Sequence, residues 1–122
     1  MLLNLSNHPS GTWSPEQKSV AEAQFGCIED LSFPQIDPSA SAEDVGTLAL
    51  EYAQQIESLL ERHPEENAVH VMGELTFCVA LVRLLQAQHI LCVASTTSRD
   101  TVENADGTKT SRFRFVQFRT YV

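Results

Sequence analysis

Basic residues are scarce in this chain. Eight Lys and Arg stand against 16 Asp and Glu in 122 residues, a net charge of −8. That balance argues against coating of duplex nucleic acid, which needs a broad basic surface. No apolar run reaches the roughly 18 residues of a membrane-spanning helix, so no membrane partner is expected. The start, Met1-Leu2-Leu3-Asn4-Leu5, has no basic n-region and is too short for a signal peptide. The expected location is the cytoplasm. The three cysteines, Cys27, Cys78 and Cys92, lack CxxC spacing and lie in apolar surroundings, as buried reduced thiols do. The four histidines, His8, His63, His70 and His89, form no HExxH motif and no Cys/His cluster, so no metal or other cofactor is expected. GxGxxG and GxxxxGK[ST] are both missing, which disfavours the usual modes of NAD and ATP binding. No Ser-His-Asp or Cys-His set can be assembled from spacing. There is no internal repeat and no low-complexity tract, and the length suits one domain, residues 1–122.

What is present is an alternation of strand and helix signals. Met1 to Leu5 is a short apolar run followed by the polar turn formers Ser6-Asn7-His8-Pro9-Ser10-Gly11. Ser14-Pro15-Glu16-Gln17 announces a helix with a capping box and Pro at its first position, and Gly26 closes it. Trp13, just before the cap, is expected to pack over that helix. Cys27 to Phe33 reads as a second strand ended by Pro34. Ser41 opens a long helix with acids on its first turn and a core face of Val45, Leu48, Ala49, Tyr52, Ile56, Leu59 and Leu60; His63-Pro64 stops it. Ala68 to Met72 is a third strand, with His70 a structural residue inside it. Gly73 leads into a helix, roughly Leu75 to Gln88, that is apolar on nearly every side and therefore buried or partly at a subunit contact. His89 at its end suits a contact with the helix dipole. Ile90 to Ala94 is a fully apolar, β-branched run of the kind found in central parallel strands. A hairpin follows with Asp106-Gly107 at its tip. The order predicts an α/β, Rossmann-like three-layer domain: a mainly parallel sheet with right-handed crossovers and a C-terminal β-hairpin.

The charges are not spread evenly. From Arg99 onward the chain holds five of the eight basic residues and three of the 16 acids, which leaves this tail at about +2 and the remainder at about −10. Arginines beside a Ser-Thr-Thr run make a plausible place for an anion, although a solvated hairpin face accounts for them equally well. In an open parallel sheet ligands bind beyond the carboxyl ends of the strands. Three segments converge there on this reading. The first offers Ser6, Asn7 and His8. The second offers Gly73, Glu74 and Thr76 at a helix N-terminus, where free N–H groups can take a phosphate, although Glu74 would repel one. The third offers Ser95, Thr96, Thr97 and Arg99. Turn chemistry is the plainer account of the first segment, and an ordinary strand-to-helix junction that of the second.

Ser95-Thr96-Thr97, Arg99, a following glutamate, Asp106-Gly107, then Arg112-Phe113, Phe115-Val116, Phe118-Arg119 and Tyr121 together resemble the C-terminal signature of the small CARF-like ring nucleases of type III CRISPR systems. Asn4-Leu5-Ser6-Asn7-His8-Pro9 and Val71-Met72-Gly73-Glu74 are similar to two further regions of that family. The likeness runs in order over most of the chain and is most specific from Ser95 to Tyr121. It implies a CARF-like fold, a homodimer with the ligand across its two-fold axis, and metal-independent opening of a cyclic oligoadenylate, expected to be cyclic tetra-adenylate, which switches off the antiviral signal. In such proteins the ligand's own 2′-OH attacks the adjacent phosphate. On that basis His8 is the candidate acid or base and Arg99 the phosphate clamp. Ser6, Asn7, Gly73, Glu74, Thr76, Ser95, Thr96 and Thr97 are the candidate ligand-binding residues. Two other function classes stay open at this point: a module that binds a cyclic nucleotide without cutting it, and a structural interaction protein.

Overall fold

The computed structural model describes residues 1–122. β1 (Leu2–Ser6) enters the middle of a five-stranded sheet. A short 3-10 turn, Ser10–Thr12, leads to α1 (Pro15–Phe25) and then to β2 (Ile28–Asp30). α2 (Ala42–Glu61), β3 (Ala68–Met72), α3 (Leu75–Ala87), β4 (Leu91–Glu103) and β5 (Lys109–Thr120) complete the chain. The sheet order is β2-β1-β3-β4-β5; the first four strands are parallel, and β5 returns antiparallel to β4. This is the expected Rossmann-like α/β fold with its C-terminal hairpin. No helix is long and apolar enough to cross a membrane.

Strand alternation divides the core between the two faces. Leu3, Leu5, Val69, Val71 and Cys92 point to the side of α2 and α3, which contribute Val45, Ala49, Ala53, Ile56, Leu60, Phe77, Leu81 and Leu85. Leu2, Ala68 and Val93 point to the other side and pack with Trp13, Ala21 of α1, Phe115 and Phe118. α1 and α2 start at the serines that their sequences offer. At Ser41 the hydroxyl accepts from Asp44 N–H at 3.0 Å while the Asp44 carboxylate accepts from Ser41 N–H at 3.4 Å. At Ser14 only half of the expected box forms: its hydroxyl accepts from Gln17 N–H at 3.2 Å and no bond returns from the Gln17 side chain.

Two other expectations need correction. β2 pairs over only three residues, and Leu31 N–H makes the last bond of this edge, to Asn4 C=O at 2.9 Å, before the chain turns away towards Pro34. β4 does not stop at Ala94. Its β-branched residues continue to pair with β5 as far as Glu103, so Ser95 to Arg99 are strand, not loop. His89, just past the end of α3, takes the left-handed conformation, with φ of 60°. The aromatics of β5 divide between core and surface. A bulge opposite Thr96/Thr97 leaves Val116 as an extra residue. In a regular strand Phe115 and Phe118 would face opposite ways; the bulge turns both inward, each 9% exposed, and leaves Phe113 71% exposed.

Gly73, at the β3–α3 junction, lies under the Phe33 ring. A Cβ here would sit 2.3 Å from the tip of that ring. Phe33 is itself fixed edge-on to Phe77, with ring centres 5.3 Å apart. Gly73→Ala is therefore expected to destabilise the fold by about 1–3 kcal/mol through overpacking, and Phe33→Leu in the same chain to recover part of the loss. Urea denaturation of the two variants checks this; equal midpoints for wild type and Gly73→Ala contradict it.

Candidate functional site

The connection from β1 runs to one side of the sheet, to β2, and the next crossover returns to the other side, to β3. The strand order therefore reverses between β1 and β3. In open α/β sheets ligands bind in the crevice outside the carboxyl ends at such a point. A cleft of about 630 Å³ opens there, lined by Ser6 and Asn7 after β1, Glu74 after β3, Pro9, and the segment from Ser32 to Ile36. Of the residues singled out from sequence, the cleft brings together Ser6, Asn7 and Glu74.

The second segment does not offer free amides. Glu74 caps α3 with its own carboxylate, accepting from Phe77 N–H at 2.8 Å, Thr76 N–H at 3.1 Å and the Thr76 hydroxyl at 2.7 Å. The Thr76 hydroxyl and the two amides hold the Glu74 carboxyl below its ordinary range, so it stays charged. An anion at this helix end would have to displace it.

The third segment is spread along β4. Ser95 is half-buried in the sheet. Thr96 donates to Gln117 C=O at 3.3 Å, and Thr97 is exposed opposite Phe115. Arg99 is held on the hairpin: Nη2 and Nε donate to Ser111 Oγ at 3.1 and 3.3 Å, and the guanidinium lies 5.9 Å from the centre of the Phe113 ring. Arg99 stands four residues, ~13 Å, beyond Ser95 along the strand. It does not line the cleft. His8 is exposed, and its backbone is pinned: its C=O accepts from Asn4 Nδ2 at 2.9 Å and Trp13 Nε1 at 3.0 Å, and its N–H donates to Ser6 Oγ at 3.2 Å. Trp13 accordingly packs towards the sheet, edge-on to His70 at 5.3 Å and against Phe118 at 5.9 Å.

Beneath His8 lies a row of side chains that reaches across the sheet and that motif spacing does not reveal. Asp30, Asn4 and His70 are direct lateral neighbours on β2, β1 and β3. Asn4 Nδ2 donates to Asp30 Oδ1 at 2.8 Å, Asn4 Oδ1 lies 2.8 Å from His70 Nδ1, and His70 Nε2 lies 3.2 Å from Ser95 Oγ. Asn4 and His70 are 1% and 2% exposed. The proton positions follow from the partners. Both neighbours of Asn4 Nδ2, the Asp30 carboxylate and the His8 carbonyl, only accept. Asn4 Oδ1 must then face His70, whose Nδ1 carries the proton and donates, leaving the Nε2 lone pair for Ser95. Burial pushes the Asp30 carboxyl up, but bonds from the Ser10 hydroxyl, Asn4 and Ser10 N–H outweigh it and hold Asp30 below the usual range. The signal in the sequence is a polar residue at an inward strand position, Leu3-Asn4-Leu5 and Val69-His70-Val71. No group of three or more His, Cys, Asp or Glu side chains gathers in metal-binding geometry.

Burial, helped by the nearby His8 charge, pushes the His70 imidazole down to about 4. The unfolded chain binds a proton at this residue below about pH 6.5, whereas the folded protein does not until about 4. Stability is therefore full above about 6.5 and falls as the pH is lowered through this window, by on the order of 3 kcal/mol in total. Urea midpoints at pH 7.5 and pH 5 are expected to differ in this direction, and His70→Gln to remove most of that difference. A midpoint that is flat between those pH values contradicts it.

No curated protein matches this chain. A family model does, over residues 1–119, from the first strand to the end of the hairpin: the chain belongs to the Uncharacterized protein MJ1673 family.

Proposed function

We propose that this protein binds a cyclic oligoadenylate, with cyclic tetra-adenylate the expected ring, at the carboxyl edge of its sheet and opens it without a metal or other cofactor. It does so as a cytoplasmic homodimer in the manner of the CARF-like ring nucleases of type III CRISPR systems that its sequence resembles. The observation that carries the reading is the cleft at the strand-order reversal, walled by Ser6 and Asn7, beside the exposed and backbone-pinned His8. In this mechanism the 2′-OH of the ligand attacks the adjacent phosphorus, and His8 passes a proton to or from the reacting oxygens. A histidine suits either direction because the imidazole titrates near neutrality in peptides, at about 6.5.

The cleft wall itself carries the negative Glu74 and no basic side chain. The positive charge a phosphate needs is then supplied from the hairpin. Arg99, with Arg112 and Arg114 on β5, belongs to an arm whose outer half is exposed on both faces. In a two-fold dimer such an arm can reach a ligand that spans both protomers. Leu75 and Val79 on α3, 77% and 52% exposed, are apolar surface available to such a contact.

Cyclic tetra-adenylate is expected to raise the melting temperature and to be converted to linear fragments, and light scattering at micromolar concentration to give the dimer mass. Arg99→Ala should weaken binding and turnover together. His8→Ala should slow single-turnover cleavage by roughly 10²–10⁴-fold with binding nearly kept. Binding without fragments assigns the protein to sensing instead of cleavage. Neither a melting shift nor fragments across a panel of cyclic oligonucleotides removes the reading altogether.

A further inference from the structure

The Asp30–Asn4–His70–Ser95 row has an end that points outward. His70 is enclosed by Trp13 and Phe118, with ring centres 5.3 and 5.6 Å away, and its Nδ1 proton is committed to Asn4. Its one remaining valence, the Nε2 lone pair, meets Ser95 Oγ at 3.2 Å. Any proton that reaches this imidazole from outside passes through the Ser95 hydroxyl. Ser95 is half-buried and lies towards the carboxyl end of the parallel strands, past His70 and beside Met72, whose partner on β1 is Ser6. It is therefore at the same edge of the sheet as Ser6 and His8.

We infer that Ser95 and His70 act as one proton relay for the hydroxyl that attacks: Ser95 Oγ, outside the cleft lining but at the same carboxyl edge, touches the 2′-OH of a ligand that extends from the cleft over β3 to β4, and His70, acting through it, is a positioning residue. This rests on the reading of the site as one that cuts a cyclic oligoadenylate. As the 2′-oxygen bonds to phosphorus, its proton passes to Ser95 Oγ, and the Ser95 proton passes to His70 Nε2. The bond from phosphorus to the 5′-oxygen breaks, and that oxygen leaves with a proton from His8 or water. The products are a 2′,3′-cyclic phosphate and a 5′-hydroxyl, and no oxidant or further reactant is needed. Buried, and with a low proton affinity, the imidazole gives the proton back once the bond has broken. The same geometry would fail on a ring lacking the 2′-OH.

The test is a double-mutant cycle in single-turnover cleavage of cyclic tetra-adenylate at saturating protein, with binding measured separately. Ser95→Ala, which removes a half-buried hydroxyl and should fold, is expected to slow cleavage roughly 10²–10⁴-fold while the Kd stays within about threefold. His70→Gln is expected to be similarly slow, and the double variant no slower than either, because the two form one unit. Cleavage by Ser95→Ala at the wild-type rate, or additive losses in the double variant, overturns the relay alone. Should His70→Gln not fold, Ser95→Thr, which restores a hydroxyl, decides: recovery of rate over Ser95→Ala supports the relay and no recovery opposes it. Wild-type protein that binds the ring and leaves it intact overturns the relay together with the cleavage reading.

Discussion

The carboxamide of Asn4 is the joint on which the rest of this molecule turns. It sits on β1, an interior strand flanked by β2 and β3, 1% exposed, and all four of its hydrogen-bonding positions are used. Through Nδ2 it ties β2 to β1 by Asp30 and holds the His8 carbonyl; through Oδ1 it orients His70 on β3 and receives Ser6. A buried polar group left unpaired costs about 1–3 kcal/mol, so each of these partners is held in place by the others. The loop after β1 is consequently tethered, with His8 presented from a pinned backbone. That is the arrangement a catalytic side chain on a loop requires.

The hairpin answers to a different constraint. Its inner half is part of the fold: Tyr121, just past β5, donates to Val71 C=O at 2.6 Å, and Phe115 and Phe118 close the core over His70. Its outer half has only itself for company, held by Arg99 on Ser111 and by the tip, where the Asp106 carboxylate accepts from Thr108 N–H and Oγ1. The bulge at Val116 separates these two regimes. It gives the inner half its aromatics and sends the outer half, with four of the protein's eight basic residues, away from the acidic body.

Much of the architecture was legible because short-range physics writes it locally. Ser41 with Asp44, Gly26, His63-Pro64 and the three-and-four spacing from Val45 to Leu60 delimit two helices without reference to the rest of the chain. The apolar run of β4 marked a central strand, yet its true length escaped, since a strand's extent depends on a partner that the run itself does not contain. The left-handed turn at His89 escaped for a similar reason: a residue with φ of 60° looks like any other until the backbone is drawn.

By itself the sequence determined the order of elements, the mainly parallel sheet, the hairpin turn and the uneven charge, because periodicity, capping and turn preference act over a few residues. Only the tertiary structure decided which polar residues meet. Asn4, Asp30, His70 and Ser95 lie on four different strands, and nothing in their spacing announces a row; lateral register aligned them. Register likewise put Arg99 ~13 Å beyond Ser95, out of the cleft that Ser6, Asn7 and Glu74 share. Contacts of that kind come from strand pairing between distant segments, and pairing is settled by the burial of both faces at once, a property of the whole sheet and of no single stretch of the chain.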